Sequence, residues 1–273
     1  MLIGIGNSGA QAVKRLVDDG VIARTLVIYD EELLEVPIAP TFLFGTNDSE
    51  HQDKLRGYVV SEIENQQMLE SDLIVVIAEL GTPLAQATMP LLDAFFKTEV
   101  DSAIVGIIPL PSSSHYEEAV ADSMIMEELC QCYVGFSLES ISHNLDNPLE
   151  DSILDMTMEP VTHAAELLIN GKSNGFHKVS DSTVVTENFI DLGGNCVASR
   201  NLYTGQGANA QIAFQQALES NTGSDSKTII SVTGGGNTTT ETVNLVREHF
   251  TGELWVTERV VESELVKVTL VEF

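Results

Sequence analysis

Apolar residues fall into short unbroken runs, separated by stretches with helical spacing. Residues 73–78 read LIVVIA and residues 102–108 read SAIVGII. Short runs this rich in Val and Ile are what strands buried on both faces of a parallel sheet show. Leu2 to Ile5 is a smaller run that leads into Gly6-Asn7-Ser8-Gly9. Residues 10–19 then predict a helix, with Ala10, Val13, Leu16 and Val17 on one face. Residues 25–29 predict a second strand. Residues 36–44 are apolar but carry two prolines, which makes them an edge segment or a loop. Helical spacing returns over 48–69, 90–96 and 116–131, and 132–136 predicts one more strand. Strands alternating with helices in this way define an α/β chain with a doubly wound parallel sheet. Such sheets bind ligands at the carboxyl ends of their strands, so the loops after the strands are the places to look.

The second half reads differently. Residues 151–169 form a long amphipathic stretch interrupted by Pro160. Beyond it come a turn at 171–174, a strand-like run at 183–191 and a turn at Gly205-Gln206-Gly207. A helix over 208–218, a polar loop over 221–226 and a strand over 228–232 follow. Gly234-Gly235-Gly236 is a loop, and Thr238-x-x-Glu241 predicts a capping box for a helix running to Phe250. Residues 254–257 and 265–271 predict a closing hairpin around Glu262-Ser263. The division predicted is a first domain over 1–148, a central helix over 149–174 and a smaller α+β domain over 175–273.

Charge narrows the partners. The chain of 273 residues has 13 Lys+Arg against 41 Asp+Glu, a formal net charge of −28. The acids are spread along the whole length. Such a surface repels phosphate backbones, which excludes nucleic acid as a partner. Spread acid with little Lys fits a protein kept soluble in a salt-rich cytoplasm, where screening relieves self-repulsion. Three cysteines, Cys130, Cys132 and Cys196, are too few for a disulfide framework and suit a reducing interior. No apolar run approaches the ~20 residues of a membrane helix, and Met1 to Gly6 reads as a buried strand rather than a signal peptide. The expectation is a soluble, cytoplasmic protein without membrane insertion.

Several residues invite chemistry. Gly4-x-Gly6-x-x-Gly9 leads from a strand into a helix, and Asp30 ends the second strand about twenty residues on. In a dinucleotide fold those glycines approach a pyrophosphate and the acid holds a ribose. His163 and Glu166 lie three apart on a helix but lack a third ligand for a metal. His115 beside Tyr116 reads as a loop polar pair. Gly234-Gly235-Gly236 reads as a structural turn, and Trp255 as core or interdomain packing.

Taken in order, IGIGNSGAQAV, SDLIVVIAELGTPLAQATMPLL, SAIVGIIPLP, KTIISVTGG and LVKVTLV resemble the tubulin/FtsZ superfamily over nearly the whole chain. The resemblance implies a Rossmann-like GTPase-type domain, a central helix, a C-terminal domain and GTP or GDP as ligand. It places the candidate nucleotide-binding residues at Gly4, Gly6, Asn7, Ser8, Gly9, Gln11, Gly81 and Thr82. The motifs depart from the family's. Its signature Gly-Gly-Gly-Thr-Gly-Ser/Thr-Gly stands here as Gly81-Thr82-Pro83-Leu84-Ala85-Gln86-Ala87. Side chains there occupy phosphate space, and Pro83 removes a donor. The family's other phosphate loop reads Gly45-Thr46-Asn47-Asp48-Ser49-Glu50, with two acids that oppose a triphosphate.

Further departures concern the base and the water. The aspartate of the family's central helix falls at Ala165, or at Glu166 if the register slips. Its Asn-Asp-Asn falls at Leu138-Glu139-Ser140 or at His143-Asn144. The acidic loop that family members insert over a neighbour's nucleotide falls at Ser182, Val184 and Glu187, or uses Asp191. Glu187 is thus the catalytic candidate, in a loop too incomplete to position water. The resemblance implies a filament component, or a modulator of a related filament through longitudinal contacts with itself or another family member, with GTP hydrolysis weakened or lost. An active GTPase with atypical loops, a dinucleotide-binding oxidoreductase and an acidic regulatory protein stand as alternatives.

Overall fold

The computed structural model describes residues 1–18, 20–21, 23–30, 41–44, 49–65, 73–78, 80–99, 103–110, 116–130, 132–137, 165, 167, 176–179, 186–187, 201–218, 228–262 and 264–272. The central helix therefore lies largely outside the described residues. Only Ala165 and Leu167 belong to them, both helical and buried. His115, residues 138–144, His163, Glu166, Ser182, Val184 and Asp191 also lie outside. The chain divides into two units, Met1–Thr162 and His163–Phe273.

The first unit is built on β1 (Leu2–Ile5), β2 (Thr25–Asp30), β3 (Thr41–Phe44), β4 (Leu73–Ala78), β5 (Ala103–Leu110) and β6 (Cys132–Ser137). These strands form one parallel sheet in the order β3-β2-β1-β4-β5-β6. The proline-bearing segment ends in β3, the edge strand. Between the strands run α1 (Gly6–Asp18), α2 (Ser49–Asn65), α3 (Pro83–Glu99) and α4 (Tyr116–Leu129). Alternate residues of the central strands feed the two faces. Ile3, Ile5, Leu26, Ile28, Ile74, Val76 and Ala78 share one core with Leu55, Val59 and Ile63 of α2, with Leu84, Met89, Leu92 and Phe96 of α3, and with Met126 and Leu129 of α4. Each of these side chains larger than alanine contributes about 1.5–3 kcal/mol on leaving water. Helix α1 buries Ala10, Ala12, Val13 and Leu16, while Val17 is exposed, contrary to the predicted stripe. Helix α3 starts at Pro83 rather than at Pro90, which lies inside it.

The second unit is a mixed sheet of β7 (Phe176–Lys178), β8 (Thr186–Glu187), β9 (Asn201–Gly207), β10 (Thr228–Gly234), β11 (Leu254–Val260) and β12 (Val266–Glu272), in the order β8-β7-β11-β10-β12-β9. Helices α5 (Ala210–Leu218) and α6 (Thr238–His249) pack on one face, where Phe214, Ala217 and Val246 meet Ile230, Val232, Val256, Val268 and Leu270.

Three expectations are corrected here. The predicted closing hairpin does not form. Strand β10 lies between β11 and β12, parallel to the first and antiparallel to the second. The turn predicted at Gly205-Gln206-Gly207 is the end of strand β9. Its glycine serves close packing, since a Cβ on Gly205 would stand 2.0 Å from the Ala213 carbonyl oxygen of α5. The capping box at Thr238 also fails. Asn237 holds the N-cap position, Thr238 is the first helical residue, and its Oγ1 donates to the Gly235 carbonyl at 2.6 Å.

Candidate functional site

In the order β3-β2-β1-β4-β5-β6 the chain reverses direction across the sheet between β1 and β4. That switch point is where an open α/β sheet has its crevice. The β1–α1 loop and the β4–α3 loop lie at its lip, because Gly4 is in register with Ile77 and Ile5 with Ala78. The sheet thus brings Gly4, Gly6, Asn7, Ser8 and Gly9 beside Gly81 and Thr82. Gln11 is half-buried on α1, two residues beyond the loop.

On the β1–α1 side the glycines have definite tasks. Gly6 opens α1 with φ +76°, in the left-handed region. Gly4 and Gly9 press backbone on backbone. A Cβ on Gly4 would lie 2.6 Å from the Gly9 carbonyl oxygen, and one on Gly9 would lie 2.5 Å from that of Ile77. The spacing Gly4-x-Gly6-x-x-Gly9 therefore seats α1 tightly against β1 and β4. Ser8 is buried, and the Oδ1 of Asn7 is buried without a hydrogen-bond partner among the described residues.

On the β4–α3 side the polar groups are engaged within the protein. Gly81 also has a left-handed backbone, φ +81°. Its N–H donates to Asp122 Oδ2 at 2.7 Å, and Asp122, on α4, is 2% exposed. Thr82 Oγ1 accepts the N–H of Ala85 at 3.1 Å, as an N-cap does, and the Thr82 carbonyl accepts that of Gln86 at 3.0 Å. Pro83 follows at the first helical position, where its missing N–H costs the helix nothing. Leu80, Leu84 and Ala85 are fully buried. Asp122 is the residue that sequence reasoning missed. A signal was present: Ala119, Asp122, Met126 and Leu129 are all buried at helical spacing, so one acid stands on an apolar stripe.

Helices α3 and α4 are also tied at their far ends. Lys97 reaches both Asp93 at 2.9 Å and Glu128 at 2.7 Å. Its hydrogen bond to Glu128 comes first among the causes that raise the Lys97 pKa, and the same bond lowers that of Glu128.

Glu187 belongs to the second unit, in the two-residue edge strand β8, where it is in register with Phe176. Asp30 ends β2, next to β1. Gly235 and Gly236 of the triple glycine line an open cavity of about 540 Å³ with Val260, Val261, Glu262 and Glu264. Its two carboxylates oppose a phosphate, and its Gly235 carbonyl serves α6 as described. Trp255 is 4% exposed, with Lys178 Nζ 5.7 Å from its ring centroid. Among the described residues no group of three His, Cys, Asp or Glu could hold a metal ion, and no helix is long and apolar enough to cross a membrane.

A parallel sheet of this order joined to a mixed-sheet unit is a fold held by solved structures. The FtsZ dimer of M. jannaschii, solved empty, is similar with a TM-score of 0.69 at 17% identity, over 99% of this chain and 86% of that one. The GTPγS-bound protofilament of CetZ2 from Haloferax volcanii gives 0.67 at 16% identity, over 99% and 91%. TubZ of Clostridium botulinum phage c-st gives 0.60 at 12% identity, over 99% and 90%. No family model and no curated protein matches the sequence. The chain has the fold of the tubulin/FtsZ superfamily.

Proposed function

We propose that the chain is a divergent tubulin/FtsZ-like cytoskeletal protein, a filament component or a modulator of a related filament, in which GTP binding and hydrolysis are weakened or lost. The observation that carries this reading is the state of the β4–α3 loop. A nucleotide phosphate needs bare backbone N–H groups at the crevice. Here the Gly81 amide is given to a carboxylate, the Ala85 amide to Thr82, and Pro83 has none. The residues on that side do not fit a triphosphate. The β1–α1 side fits a phosphate better, since Gly6 turns the chain and a Cβ there would meet nothing within 4 Å.

Self-association is part of the proposal. It is supported by the dimer of FtsZ and the protofilament of CetZ2, both of this fold. A salt-rich, cytoplasmic setting is proposed from the net charge of −28. The proposal includes three parts to the chain, 1–148, 149–174 and 175–273.

Equilibrium binding of labelled GTP, GDP and NAD at molar KCl tests the reading. Millimolar or undetectable GTP binding is expected, and a micromolar or tighter constant overturns it. One observation favours a second reading, a dinucleotide oxidoreductase: the sheet has the Rossmann strand order, and Asp30 ends the strand beside the glycine turn. NAD binding in the same titration would promote it.

A further inference from the structure

We propose that Asp122 is a positioning residue that satisfies the β4–α3 loop from inside the protein, so that the loop keeps one conformation whether or not a nucleotide is offered. The proposal deepens the reading above and rests on it for the identity of the crevice. A carboxylate that is 2% exposed needs donors, because burial removes the water that would otherwise solvate it. The Gly81 amide is such a donor, 41 positions away along the chain and 2.7 Å away in space. Only a residue tolerant of φ +81° can aim its N–H in that direction, and position 81 is glycine.

The acceptor stands on a fixed support. Asp122 projects from the buried stripe of α4, between Ala119 and Met126. The same pair of helices is tied at its other end through Lys97 and Glu128. The next residue of the loop is fixed independently, by the Thr82 cap on α3. With the Gly81 donor met by Asp122 and the Thr82 oxygens committed to the first turn of α3, two consecutive residues of the loop are held from within the protein. In consequence its conformation does not report nucleotide state, and any assembly follows protein concentration and salt.

Hydrogen exchange over residues 80–85, measured on the whole chain at molar KCl with and without GTP or GDP, tests this. The Gly81 amide is expected to exchange slowly and to change less than twofold with either nucleotide. Asp122→Ala is expected to speed its exchange at least tenfold, with the amides of β1 and β10 unchanged. Asp122→Asn keeps a carbonyl acceptor of the same shape and is expected to restore most of the protection. A tenfold slowing by GTP in the wild type, or unchanged Gly81 exchange in Asp122→Ala, overturns the proposal. If circular dichroism shows Asp122→Ala unfolded, Asp122→Leu, which fills the site without an acceptor, decides: faster exchange confined to residues 80–85 supports the latch, and no local change defeats it. Equilibrium dialysis of GTP runs in parallel. Tight GTP binding with unchanged loop exchange defeats the weakened-affinity reading and leaves the latch standing.

Discussion

Glycine and aspartate show how much one position decides here. Gly9 has no room for a methyl group, because the Ile77 carbonyl oxygen would be 2.5 Å from it. Gly9→Ala must therefore push α1 off the sheet, at a cost of about 1–3 kcal/mol typical of overpacking. A urea midpoint that does not fall would refute that packing. Asp122 was hidden for the opposite reason. An acid in a helix normally marks the solvated face, as the exposed Glu127 and Glu128 of α4 do, so only its phase relative to Ala119, Met126 and Leu129 gives it away. Thr257 is a further case, buried completely and with no hydrogen-bond partner for its Oγ1 among the described residues. Thr257→Val keeps the shape and removes an unpaired polar atom. It is expected to raise stability by up to ~1 kcal/mol, and a drop in the thermal midpoint would contradict this.

At the scale of elements, what the chain revealed depended on how local the cause was. The apolar runs 73–78 and 102–108 read directly as strands because burial on both faces leaves no alternation to misjudge. The glycines of the first loop were legible for the same reason, as a turn between strand and helix. The start of α3 was not, although Thr82-Pro83 is a cap followed by a favoured first residue. The helical spacing over 90–96 placed the start at Pro90, one of the prolines that a helix interior seldom holds. The closing hairpin was misread because two strands near in sequence suggest a pair, whereas β11 and β12 each bond to β10. Glu187 stays a lone acid in the register, since the positions that would complete its loop lie outside the described residues.

The tie between α3 and α4 makes a pH prediction at this scale. Glu128 has its pKa lowered from 4.5 in the folded state, so its contribution is present above that value and fades as pH falls through the folded one. Lys97, raised from 10.5, contributes below that value and loses its contribution as pH rises beyond it. Lys97→Met is therefore expected to lower the thermal midpoint slightly at pH 7, with the gap to wild type closing by pH 3. A constant gap across that range would show that the loss came from packing instead.

For the whole molecule the net charge of −28 dominates. Repulsion among so many carboxylates acts over about 10 Å at 0.1 M salt and over about 3 Å at 1 M. Raising KCl from 0.1 to 2 M is expected to raise the thermal midpoint by about 5 °C or more, a change of about 2 kcal/mol for units of this size. A flat response would remove the argument for a salt-rich host. Strand β10 carries one more implication. Its seven residues are fully buried, yet one of its neighbours, β12, is made after β11 and α6. Until the ribosome has released residues 266–272, the middle of that sheet has an open seam of backbone donors and acceptors, which is the hazard of any unpaired edge. A chain interrupted at the β11–β12 connection would therefore tend to clump during synthesis rather than merely lose a strand.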